Sequence, residues 1–356
     1  MPRIPRALLR AAHRISPHLA ALLPACRDLA SARNELRWIR EHVLRLHRPH
    51  PLSASPPSSS PRKKRTPKAG HGHGSTIEAA VSRLCRRRAA GTPLQYVLGS
   101  QPFGPLDLAC RRGVLIPRPE TEAWAAHLAA IMRPGAVAAR VVDVCSGTGC
   151  VALLLRALLG SGLRVMGFDV EPRAVALARA NRERNVKMGV LLREGVRFER
   201  ADVFERGWVE RLAERPVDVL VSNPPYISVR GFNRDTGRSV RNFEPRRALV
   251  PSPDGVGERP ADCAPEDVFY ARLLDVAATL RPKIVVFEVG DLDQAVRVVE
   301  MTTRRRERWD EVEIWRDWPD MRPDEEEAQV VQVEGRGDVP VRGSGHGRVV
   351  FLRRLP

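Results

Sequence analysis

The chain has 356 residues, of which 43% are hydrophobic and 28% charged, with a formal net charge of +17. This length suits one large domain and one small one, and no run approaches the roughly 18 consecutive apolar residues of a spanning helix, so no membrane insertion is expected. The charge points to acidic partners, nucleic acid above all, with an Arg-, Ala-, Gly- and Pro-rich composition as the alternative source of the same number.

From the N-terminus, Arg3, Arg6, Arg10 and Arg14 recur every three or four residues, and Leu8, Ala12, Ile15 and Leu19 do the same. On a helix the two sets fall on opposite faces. No acid precedes Asp28, so residues 1–25 have the pattern of a mitochondrial transit peptide, with the first helix of a basic domain as the alternative. Leu29, Ala32, Leu36, Ile39, Val43 and Leu46 then predict an amphipathic helix over 26–48. Residues 49–75 are Pro- and Ser-rich and acid-free, the composition of a disordered linker. His71-Gly72-His73-Gly74 lies at its end; with no third ligand nearby it reads as part of that linker. A second helix is expected over 76–90, a β-hairpin within 94–116 and another helix over 119–132.

From 140 the rhythm becomes strand then helix. Short β-branched runs at 141–145, 165–168, 196–200, 217–222 and 284–289 alternate with helical stretches at 150–160, 171–185 and 266–281. That alternation predicts a doubly wound α/β domain with a mostly parallel sheet. Runs at 311–315 and 349–354 have no helix between them, so an antiparallel hairpin is expected at one sheet edge, with 320–347 as a long exposed loop. The region 227–268 is also long for a loop, as lids are. Six cysteines are present, Cys26, Cys85, Cys110, Cys145, Cys150 and Cys263, with no C-x-x-C pair; neither a metal site nor a dithiol is signalled.

Two loops carry chemistry. The first strand runs from Asp143 through Cys145 into Ser146-Gly147-Thr148-Gly149 and a helix. Glycines there let the backbone approach a ligand, and Asp169, at the end of the next strand, can accept both hydroxyls of a ribose. Asp202, after the third strand, can accept from an adenine amino group, with Val203 and Phe204 beside it. By itself this fits a nicotinamide dinucleotide as well as S-adenosylmethionine. The second loop, Asn223-Pro224-Pro225-Tyr226, lies past the fourth strand at the carboxyl edge of the sheet. Its prolines remove two donors and stiffen the turn. The Asn223 side-chain oxygen and the Pro224 carbonyl remain to accept from one –NH2 group, and Tyr226 offers a flat wall. Such a site suits a poor, delocalised nitrogen nucleophile held in line with a sulfonium methyl, which a dehydrogenase does not need. The nitrogen can belong to a protein glutamine or to adenine N6.

Residues 91–103 (GTPLQYVLGSQPF) and 113–122 (GVLIPRPETE) resemble the release-factor glutamine methyltransferases. So do DVCSGTG (143–149), FDVEPRAVALARAN (168–181), SNPPYI (222–227), EPRRAL (244–249) and FEVGDLDQ (287–294). The resemblance spans about 91–300. It implies a class I S-adenosylmethionine-dependent methyltransferase domain, a seven-stranded, mostly parallel sheet with an antiparallel edge hairpin, at 131–356. It also implies a small N-terminal helical domain for substrate recognition at 26–98 and a hairpin linker at 99–130. The implied reaction is N(5)-methylation of the glutamine in the Gly-Gly-Gln loop of a class I peptide release factor. A ribosomal-protein glutamine, adenine in nucleic acid, or a non-catalytic RNA- or ribosome-binding role are the alternatives. By motif match, Asn223, Pro224 and Tyr226 would hold the amide, Phe103 would help close its pocket, and Arg118, Glu120 and Thr121 belong to a second signature. The implied partner is the mitochondrial release factor in the matrix, with transient ribosome or RNA contact possible in kind; the cytoplasm is the alternative location. The sequence departs from the family at Cys145, where a glycine is usual.

Overall fold

The computed structural model describes residues 4–47, 72–133, 138–252, 263–305 and 308–355, with backbone alone for 72–75. Most of the expected linker at 49–75 therefore lies outside the described residues, as do the side chains of His71 and His73. The chain divides into two compact units, Met1–Leu98 and Gly99–Pro356.

The first unit is helical: α1 (Arg6–Ile15), α2 (Pro17–Cys26), α3 (Leu29–Leu46), α4 (Gly72–Ala89) and α5 (Leu94–Leu98). Asp28 caps α3 by accepting from the Ser31 amide at 2.7 Å. Ala32, Leu36, Ile39 and Val43 are buried on one face, as the spacing predicts, while Leu46 at the helix end is exposed. They pack with Leu19, Leu22 and Leu23 of α2 and Val81 and Leu84 of α4. Arg88 and Glu35 form a shielded two-bond pair at 2.7 and 2.9 Å that ties α4 to α3. Residues 4–25 form α1 and most of α2, and Leu19, Leu22 and Leu23, at 3%, 0% and 0% exposure, belong to the core. Burial of each such side chain contributes about 1.5–3 kcal/mol, so loss of the segment would open that core. Ser16 breaks the single helix the spacing suggested, and Ile15 is left exposed.

The second unit starts with the hairpin β1 (Ser100–Phe103) and β2 (Leu106–Ala109), then α6 (Pro119–Met132). The alternating series follows: β3 (Arg140–Val144), α7 (Cys150–Leu159), β4 (Arg164–Asp169), α8 (Pro172–Lys187), β5 (Val196–Arg200), α9 (Gly207–Ala213) and β6 (Val219–Ser222). Two short helices, α10 (Val229–Arg234) and α11 (Arg238–Phe243), occupy part of the expected long loop. The unit ends with α12 (Val268–Leu280), β7 (Ile284–Glu288), α13 (Leu292–Thr303), β8 (Glu311–Trp318), β9 (Val330–Val333), β10 (Gly337–Arg342) and β11 (Ser344–Arg353).

The main sheet runs β5-β4-β3-β6-β7-β11-β8-β10-β9. Strands β3 to β7 are parallel, and apolar side chains on both faces explain their unbroken Val-rich runs. The doubly wound α/β class stands. Two details differ. The sheet has nine strands, because 320–347 is no mere loop: it contains β9 and β10, whose Val333, Val339 and Val341 are buried. Strand β11 is antiparallel to both neighbours and lies inside the sheet, between β7 and β8, so the hairpin is not at the edge. Within 99–130 the expected hairpin is present, and Phe103, Leu106, Leu108, Trp124 and Leu128 share a core with Leu153 and Leu154 of α7. Among the described residues no helix is long and apolar enough to cross a membrane.

Candidate active site

The sheet order reverses between β3 and β6, so the loops at their carboxyl ends diverge and leave a crevice. Ser222 Oγ donates to the Val144 carbonyl at 2.7 Å and holds the two strand ends level. One cavity fills the crevice. It is lined by Asp143, Cys145, Ser146, Gly147 and Thr148 from the first loop, Asp169, Asp202 and Val203 from the next two, and Asn223 and Pro225 from the fourth. Arg118 and Thr121 line it from the start of α6. Residues far apart in sequence are thus brought to one wall.

The first loop is built to meet a ligand. Gly147 has φ +54 and Gly149 φ +79. Cys145 takes the left-handed conformation as well, at φ +62. The usual glycine turn is therefore kept at a cost of about 1–2 kcal/mol for the side chain present. The Gly147 amide donates to Asp169 Oδ2 and the Glu171 amide to Asp169 Oδ1, both at 2.9 Å, which fixes the carboxylate at the cavity. Asp202 is fixed by the Phe204 amide at 3.0 Å. Ser146 Oγ is buried in the lining without a hydrogen-bond partner among the described residues. An orphaned hydroxyl, a ribose-competent carboxylate and a cluster of acids match a nucleoside ligand that carries a positive charge and an amino-acid tail.

Asp143 is 2% exposed and accepts only the Ala152 amide, at 3.2 Å. Burial pushes its pKa up to about 8, the Ala152 hydrogen bond opposes this, and nearby Asp169 adds to the rise. A carboxyl with a folded pKa above its unfolded value binds its proton more tightly when folded. The associated stability is complete below about pH 4 and is lost as pH rises toward 8. Between pH 5 and 8 the ligand-free protein is expected to lose about 2–4 kcal/mol. Asp143→Asn should flatten that slope in denaturant unfolding followed across the same range.

Asn223 follows β6. Its Nδ2 donates to Thr121 Oγ1 at 3.3 Å, so Oδ1 is the atom left to accept from a guest. The loop is braced from behind: Gln294 Nε2 donates to the Tyr226 carbonyl at 3.2 Å and to Asp267 Oδ1 at 2.7 Å. The segment 116–118 is clamped by Glu244, which accepts from the Ile116 amide at 3.0 Å and from Arg118 Nη2 at 2.8 Å.

Several sequence expectations are displaced. Phe103 is fully buried in the core with α6 and α7 and does not line the cavity, because the hairpin folds onto those helices. Tyr226 does not line it either: its hydroxyl donates to Glu288 Oε1 at 3.2 Å and its ring lies beside Gly290. Glu120 lies outside the lining, as do Pro224 and Gly149. Gly149 works from behind, as the start of α7. The sequence reading missed Pro245, Arg247 and Ser252 in the lining and Glu288 and Gln294 behind it. Glu288 had one legible signal, a single acid in the apolar run Ile284-Val285-Val286-Phe287-Glu288-Val289. Among the described residues no His, Cys, Asp and Glu cluster could hold a metal.

The methyltransferase small domain family matches residues 121–240. The chain is 36% identical over 258 residues to the mitochondrial MRF1 N(5)-glutamine methyltransferase MTQ1 of Saccharomyces cerevisiae, with 70% of this chain and 68% of that one covered. It is 30% identical over 309 residues to the probable MRF1 mitochondrial N(5)-glutamine methyltransferase mtq1 of Schizosaccharomyces pombe, covering 82% and 87%. It is 35% identical over 237 residues to the release factor glutamine methyltransferase of Nitratidesulfovibrio vulgaris, covering 66% and 72%.

Proposed function

The chain belongs to the family of release-factor glutamine methyltransferases, and from that membership we propose that it N(5)-methylates the Gly-Gly-Gln glutamine of a class I peptide release factor. The observation that carries the reading is the shared wall: Asn223 of Asn-Pro-Pro-Tyr and the Ser146–Thr148 turn line one cavity with Asp169. S-adenosylmethionine, when bound, supplies an electrophilic methyl group. Asp169 would hold its ribose, Asp202 its base and Ser146 its amino-acid end.

The chain's own residues then make a poor nucleophile react. A glutamine amide nitrogen has its lone pair delocalised into the carbonyl. Asn223 Oδ1 accepts one of its hydrogens, which fixes its direction and stabilises the positive charge that grows on it. Once the nitrogen carries the methyl, the acidified N–H is lost to solvent, and no strong base is required. Tyr226 acts through the loop rather than as a wall, by anchoring it to Glu288.

The release factor is proposed to be the mitochondrial one, in the matrix. Two relatives bear mitochondrial names, and Arg6, Arg10 and Arg14 of α1 are exposed, as an import receptor for basic helices would need. The helical unit Met1–Leu98 is proposed to grip the release factor, and its excess of arginines would tolerate ribosome or RNA contact. Intact-mass analysis of the mitochondrial release factor from cells with and without this chain tests the reading. One methyl on the loop glutamine should vanish with the chain. An unmethylated glutamine in both would overturn it.

A further inference from the structure

Glu288 ends β7 at 1% exposure, and the chemistry above does not use it. The Thr121 hydroxyl donates to its Oε2 at 2.6 Å, and the Trp124 indole N–H donates to the same oxygen at 2.7 Å. The Tyr226 hydroxyl donates to Oε1 at 3.2 Å. Thr121 Oγ1 in turn accepts from Asn223 Nδ2 at 3.3 Å. Thr121 and Trp124 are 1% and 0% exposed, so no solvent competes for these bonds.

The donor direction along this series follows by elimination. An indole N–H can only donate. With Glu288 ionised, Oε2 can only accept, from the indole and the hydroxyl alike. A hydroxyl at 2.6 Å from that acceptor commits its one hydrogen there. Thr121 Oγ1 then offers only lone pairs to Asn223, so the amide must turn its NH2 group to Thr121. Burial raises the pKa of Glu288, while the hydrogen bonds from Thr121, Trp124 and Tyr226 oppose the rise by favouring the ionised form.

We propose that Trp124, Glu288 and Thr121 are positioning residues that lock the polarity of the Asn223 amide, oxygen toward the guest, and so select a glutamine over a glutamate. This rests on Asn223 holding the substrate amide. With the amide reversed, NH2 would face NH2 and the site would lose its acceptor. With the amide locked, a glutamate carboxylate meets an acceptor and is repelled.

The test uses the full chain and compares Thr121→Val, Thr121→Ser and Glu288→Gln. It reads kcat and KM on release factor, cofactor affinity by calorimetry, and affinity for loop peptides carrying Gln or Glu. Thr121→Val keeps the shape but offers no lone pair. It should lower kcat by about 10²-fold and shrink the Gln-over-Glu preference by about tenfold, with cofactor affinity held. Thr121→Ser should restore most of both. Glu288→Gln should keep at least about a tenth of kcat, because Trp124 holds the carboxamide oxygen at the Oε2 place. Unchanged kcat and preference in Thr121→Val would overturn the lock. So would a Glu288→Gln loss as deep as that of Thr121→Val, which would make the carboxylate a proton acceptor instead. A wild type that methylates no release factor would sink the proposed function alone, since the peptide preference still reads the lock.

Discussion

Replacement of Asn223 by alanine is expected to lower kcat for methyl transfer by about 10³-fold, with melting temperature and cofactor affinity close to wild type. The side chain sits at a strand end, lines the cavity and makes one long hydrogen bond, to Thr121. Its removal leaves no large void, and β6 remains pinned to β3 by Ser222. What is lost is the side-chain acceptor on the amide. A single preorganised partner at a centre of developing charge is worth about 10²–10³ in rate. Loss of orientation adds to this, because the delocalised lone pair then points anywhere. Single-turnover kinetics with release factor, beside calorimetry with the cofactor, separate the two effects. A variant as active as wild type would remove Asn223 from the chemistry.

The legibility of this chain follows the range of its interactions. The parallel strands β3 to β7 were readable because burial on both faces leaves uninterrupted apolar runs, a purely local signal. The Ser146–Gly149 turn and Asn-Pro-Pro-Tyr were readable because each packs its chemistry into a few consecutive residues. Glu288 was not, since its partners Thr121 and Trp124 stand 167 and 164 positions away. The burial of Phe103 was unreadable for the same reason: a hairpin residue can face a pocket or a core, and only the docking of β1 and β2 on α6 and α7 decides. The strands β9 and β10 escaped because exposed positions interrupt their valines. At residues 4–25 the helical amphipathicity was legible locally, and the same apolar positions pack within the helical unit.

Gly167→Ala should be a strongly damaging small substitution in the second unit. Gly167 lies in β4, paired in register with Phe198 of β5 and with Asp143 of β3. A methyl group there would stand 2.4 Å from Phe198 Cδ1, 2.6 Å from Cε1 and 3.2 Å from Ser146 Cβ. Gly149 faces the same ring, with 2.7 Å from its would-be Cβ to Phe198 Cζ. One buried phenyl thus occupies the space of two absent side chains, and it presses the cofactor turn against the strand beneath. The ring is 2% exposed and has nowhere to swing. Overpacking of this kind costs about 1–3 kcal/mol, and more where backbone must shift. The shift would pass to Ser146, so cofactor affinity should fall along with stability. A drop of several degrees in melting temperature and a drop of about tenfold or more in affinity are expected. The double variant Gly167→Ala with Phe198→Leu decides whether the ring is the cause. Relief of the clash should make it more stable than the sum of the single effects, a coupling that additive damage cannot produce.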